Sequence, residues 1–163
     1  MRRFRNLSGA LVLLLGALGS TVAFAAAESN ISSGLTLQGP GLAVRGYDVV
    51  AYFTDGQPTV GSAKHATVFE NATYRFANEK HLKAFERDPE RYVPRYGGYC
   101  AYGVSVGAKF DGDPQLWRIV DGQLYLNLNE DIQLTWLEDV PSNIEKADRN
   151  WSKIASKAPA ELK

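Results

Sequence analysis

Along the chain, apolar positions come in short runs whose spacing shifts between alternation and a helical step. Val49, Val50, Tyr52 and Phe53 form a run closed by the turn-like "TDGQP", which predicts a buried strand. In "TVFENATYRF", Thr67–Phe69 and Thr73–Phe76 predict two short strands joined around Asn71-Ala72. Asn78 stands where a helix N-cap belongs, ahead of "EKHLKAFERD", in which Leu82 and Phe85 mark the apolar face. Asp88-Pro89 then restarts the chain with a capping residue and a proline suited to the first helical position, giving a short turn through Tyr92. "LWRIVDGQLYLNL" is the clearest hairpin, because Asp121-Gly122 favours a two-residue turn between apolar runs. The C-terminal third reads as helical. Ile132 and Trp136 lie four apart, and Pro141 opens a further segment with Ile144, Ala147, Trp151 and Ile154 on one side. The tail after Ser156 is polar and is expected to fray. This order implies an α+β fold: small antiparallel hairpins with a central helix, followed by C-terminal helices. No internal repeat stands out in the sequence.

The N-terminal stretch follows a different pattern. Arg2, Arg3 and Arg5 precede an apolar run from about Ala10 to Leu18, and small residues lead up to Glu28. This is the layout of a secretory signal peptide over residues 1–27, with A-x-A at Ala23/Ala25 or Ala25/Ala27 as the cleavage site. The run falls short of the roughly 20 residues a membrane span requires. A periplasmic or secreted location follows, with no membrane span after cleavage. Residues 28–40 are small and polar and read as a loose lead-in, so the globular domain covers about 41–155.

Cleavage changes the charge picture. The whole chain balances 18 Lys and Arg against 18 Asp and Glu, but removing the three signal arginines leaves an acidic excess. That excess argues against nucleic acid or an anionic membrane surface as partner. A single cysteine, Cys100, rules out a disulfide within the chain, so packing alone must stabilise an exported domain. Neither G-x-S-x-G nor H-E-x-x-H nor a phosphate-binding glycine loop occurs, which points away from an enzyme.

"GYDVVAYF", "YRFANEKHLKAFERDPERY" and "YGGYCAYG" together resemble exported bacterial proteins of the YHS-domain family, over about Ala43 to Trp151. That family is related to TRASH-like modules. The resemblance implies a small treble-clef-like core and a link to copper or other heavy metals. Metal-binding members carry cysteines at three points, and here Ala51, Ala77 and His81 fall at those points. A methyl group cannot ligate a soft metal, so the family's sulfur site cannot form in this chain.

Candidate chemistry therefore rests on a few residues. Cys100 is either a buried filler, a metal ligand or a redox thiol. With His81 and His65 it would give a Cu or Zn site if the three converge. Tyr96, Tyr99, Tyr102 and Tyr52 are candidates for the wall of a small-ligand pocket, and core packing explains them equally well. Three functions remain open: a periplasmic module for a transition metal ion held by non-standard ligands, a module for a small ligand or a protein partner, and a redox thiol.

Overall fold

A computed structural model describes residues 28–31 and 41–162. The region read as a signal peptide and most of the lead-in lie outside the described residues. The fold is α+β, as the residue pattern implies. Strands β1 (Ser62–Phe69) and β2 (Ala72–Phe76) form one antiparallel hairpin, and β3 (Asp113–Val120) and β4 (Gln123–Asn127) form another. Among the described residues these α-helices accompany them: α1 (Ala51–Thr54), α2 (Glu79–Arg87), α3 (Ala101–Ser105), α4 (Glu130–Glu138) and α5 (Val140–Ile154). The expected hairpins and the long helices stand where the pattern put them. One reading fails: Val49, Val50, Tyr52 and Phe53 form a turn and the short helix α1 instead of a strand. An element buried on all sides has no polar face to reveal its period. The end of the chain also departs from expectation, since Pro159–Glu161 form a 3-10 turn and Leu162 packs against the core.

The elements repeat. Val44–Gly46 and Arg95–Gly98 each form a 3-10 turn that passes through left-handed backbone and ends on a glycine with φ near 82°. Each turn leads to a tyrosine, Tyr47 or Tyr99, and then to a short helix, α1 or α3. Gly61 and Gly112 then open hairpins of the same strand lengths and the same register. Ser62 faces Phe76 as Asp113 faces Asn127, and Phe69 and Val120 end their strands beside tight turns. Each hairpin feeds a nine-residue helix capped by the side chain of an asparagine, Asn78 or Asn129. The molecule is thus two copies of one turn–helix–hairpin–helix unit, a repeat the sequence does not announce. Only scattered residues coincide, among them Gly61/Gly112, Tyr74/Tyr125, Asn78/Asn129 and Asp88/Asp139.

The units share a core. Val49, Val50, Tyr52, Phe76 and Phe85 of the first unit pack with Leu124 and Leu126 from β4 of the second. Tyr125, between them in sequence, points the other way and joins Tyr96, Val104, Trp136, Ala147 and Ile154. Alternation along β4 therefore feeds two clusters from one strand. Helix α5 closes the second cluster, and Arg95 pairs with its Asp148 at 2.7 Å.

Candidate functional site

The corresponding loops of the two units place one polar side chain each at the start of their short helices: Asp48 in the first and Cys100 in the second. Asp48 is fully buried. Its Oδ1 accepts from the backbone N–H groups of Val50 (2.9 Å) and Ala51 (3.3 Å), and its Oδ2 accepts from that of Ala77 (2.8 Å). His81 Nδ1 lies 2.7 Å from the same Oδ2. An ionised carboxylate only accepts, so His81 carries its proton on Nδ1. That leaves Nε2 beside Thr54 Oγ1 at 3.3 Å and Asp55 Oδ1 at 3.8 Å. The buried carboxylate has all its acceptor capacity used, which is what a buried charge requires.

Ala51, Ala77 and His81 meet here. Ala51 and Ala77 give their backbone N–H groups to Asp48, and His81 gives its ring. A carboxylate and an imidazole fill the space between them. This plug ties α1, the end of β2 and α2 together.

In the second unit the same backbone surrounds sulfur. The N–H of Gly103 points at Cys100 Sγ from 3.4 Å, and those of Tyr102 and Leu128 also face it. Ile132 stands at the position of His81, on the corresponding turn of α4. The exchange of a ring that reaches the cap for an aliphatic side chain that does not leaves a cavity of about 250 Å³. Cys100, Tyr102, Gly103, Val106, Phe110 and Ile132 form most of its wall. A Cβ on Gly103 would lie 2.8 Å from the Phe110 ring, so the ring would have to shift to admit it. Val106 and Phe110 are largely exposed, at 61% and 50%, and mark the rim. Burial pushes the Cys100 thiol up, while the three backbone N–H groups pull it back towards ionisation.

The candidate residues are not brought together. His81 is bonded to Asp48, Cys100 belongs to the other unit, and His65 lies on β1, within electrostatic reach of Glu79. Among the described residues, no group of three or more His, Cys, Asp and Glu side chains is arranged to hold a metal ion. Of the four tyrosines, only Tyr102 lines the cavity. Tyr52 is a core residue whose hydroxyl donates to Pro114 O at 2.9 Å. Tyr96 donates to Asp148 Oδ1 at 3.0 Å, and Tyr99 packs on Trp151. Phe110 and Asn127 escaped the sequence reading, and Ile132 entered it only as a position on a helix face. The repeat would have exposed the latter two, since they replace Phe76 and His81.

Lys109 forms a second polar centre in the same unit. Its Nζ donates to Ala155 O (2.6 Å) and Lys157 O (2.8 Å) at the end of α5. The rings of Tyr99 and Trp151 face the ammonium at 4.9 and 5.0 Å. Comparison with known proteins adds no relative: no family model, no curated protein and no solved structure matches this chain. No described helix is long and apolar enough to cross a membrane.

Proposed function

We propose that this protein is an exported, YHS-like binding module that takes a small, mainly apolar ligand in the cavity over Cys100. One observation carries the reading: the second unit is hollow at the place where the first is plugged by His81. A cavity of about 250 Å³ suits a molecule of one or two rings, since apolar cavities of roughly 150 Å³ already accept benzene. The apolar walls supply the burial that such a ligand needs.

A transition-metal role has less support, because a soft ion needs several donors and the cavity wall holds no histidine or carboxylate beside Cys100. Indole serves as a probe for the test. Titration followed by amide chemical shifts should give a saturable response at Gly103 and Phe110 in the native chain. Ile132→Trp, which fills the cavity, should abolish it. A response that survives the substitution, or none in the native chain, would overturn the reading.

A further inference from the structure

The two units close the same joint with different chemistry. In the first, Asp48 stands at the start of α1, Thr54 ends that helix and the His81 ring bonds to Asp48. In the second, Cys100, Val106 and Ile132 stand at those places. Thr54 and Val106 correspond because the N–H of Thr54 donates to Val50 O as that of Val106 donates to Tyr102 O. The scaffold thus closes without a carboxylate, an imidazole or a hydroxyl. A buried carboxylate and a buried ring are unfavourable until all their partners are in place. The first unit carries both although the shared architecture does not require them.

Their geometry is that of a nucleophile, a base and the group that holds the base. Asp48 Oδ2 lies 2.7 Å from His81 Nδ1, and His81 Nε2 faces Thr54 Oγ1 at 3.3 Å. The proton on Nδ1 leaves Nε2 as an acceptor, the form in which it can take a proton from a hydroxyl. His81 is buried, whereas Thr54 is exposed at the end of α1. The hydroxyl has one hydrogen and three acceptors around it: Asp55 Oδ1 at 2.8 Å, Val50 O at 3.2 Å and His81 Nε2. Rotation about its C–O bond passes the hydrogen from one to another. We infer that Thr54 is a nucleophile for acyl transfer, with His81 as its general base and Asp48 as the positioning residue. The substrate class is small aryl esters, which reach an exposed hydroxyl without a deep cavity and carry a phenolate that leaves easily. No short motif marks this set, because residues 48, 54 and 81 meet only in the fold.

The reaction is balanced within the chain, the ester and water. Thr54 Oγ1 attacks the carbonyl carbon and a C–O bond forms, while the hydroxyl proton passes to His81 Nε2. The tetrahedral adduct collapses and the bond to the aryl oxygen breaks. The phenolate takes the proton from Nε2 and leaves as a phenol, and Thr54 carries the acyl group as an ester. Water then gives a proton to Nε2 and attacks that ester in the same way. The carboxylic acid departs and the Thr54 hydroxyl is restored. Asp48 stays ionised throughout, and its bond to Nδ1–H holds the ring in the tautomer that each step uses.

The test is to treat the folded chain with p-nitrophenyl acetate, follow the release of p-nitrophenol and locate acetyl groups by mass spectrometry. The native chain should carry an acetyl group on Thr54, and Thr54→Ser should carry one at the same position. Thr54→Val, which changes an exposed side chain, should lose that acetyl group and release p-nitrophenol more slowly. His81→Gln, checked as folded by its melting curve, should acylate Thr54 roughly a hundredfold more slowly. The nitrogen NMR spectrum of the His81 ring reads the part of Asp48: the proton should sit on Nδ1 in the native chain and move to Nε2 in Asp48→Asn. No acetyl group on Thr54, equal release by the native chain and Thr54→Val, or a proton on Nε2 in the native chain would each overturn the inference. Those three measurements decide it even where the His81 and Asp48 variants do not fold. The outcome is separate from ligand binding in the second unit: a chain that takes indole and gains no acetyl group at Thr54 refutes this inference alone.

Discussion

Replacing Asp48 with alanine removes the acceptor for three backbone N–H groups, two of them buried, and for the His81 ring at one stroke. The expected loss is about 3 kcal/mol or more, read as a lower urea midpoint, because each donor left unsatisfied pays its full desolvation penalty. Lys109 gives a prediction in pH. Burial brings its ammonium down to about 8, below the value near 10.5 of an unfolded lysine. Between those values the unfolded chain binds more protons than the folded one, so this group adds stability as pH rises from about 8 to 10.5 and removes it as pH falls back. The tyrosines oppose this at the upper end. Tyr52, Tyr74 and Tyr96 are all pushed up by burial, so their contribution is lost as pH rises past the ordinary tyrosine range. Subtracting the urea stability of Lys109→Met from that of the native chain, at pH 7.5 and at pH 9.5, isolates the lysine; the difference should grow with pH.

Single turns decide how the elements meet, and Gly97 shows this best. It has a φ of 61°, and a Cβ there would fall 1.7 Å from Glu28 O. Gly122, in the β3–β4 turn, has a similar φ of 73° but open space around it. Gly122→Ala should therefore cost only the left-handed backbone penalty, about 1 kcal/mol. Gly97→Ala should cost more and should also break the bond from Asn30 N to Gly97 O, seen as lost hydrogen-exchange protection at Asn30. The same contrast between local and distant causes sets what the sequence discloses. Asn78 and the Asp121-Gly122 turn act on their own neighbours, and the elements they control were legible. Helix α1 was not, because the packing that buries Val49 to Phe53 comes from other segments. Nor was the cavity, which exists through the pairing of Cys100 with Ile132 across the unit. His81 was legible as an odd residue at a helix start, but its bond to Asp48, remote in sequence, was not.

As a whole, the molecule cannot be divided at its internal boundary. The first unit's cluster needs Leu124 and Leu126 from β4, with Trp117 and Ile119 packed beside them. A fragment ending at Val93 should show no cooperative melting by circular dichroism, whereas the full chain should melt in one transition. Export belongs to this scale too. Expression in a bacterial host followed by N-terminal sequencing of the periplasmic fraction should find a chain that begins after Ala25 or Ala27. Two sockets built on one plan also shape how the protein is free to change. With Asp48 and His81 locking the first, the second is relieved of that duty, and drift can try new residues there without undoing the architecture. A descendant with altered chemistry would then differ first around Cys100 and Ile132, while its Asp48 neighbourhood stayed as it is.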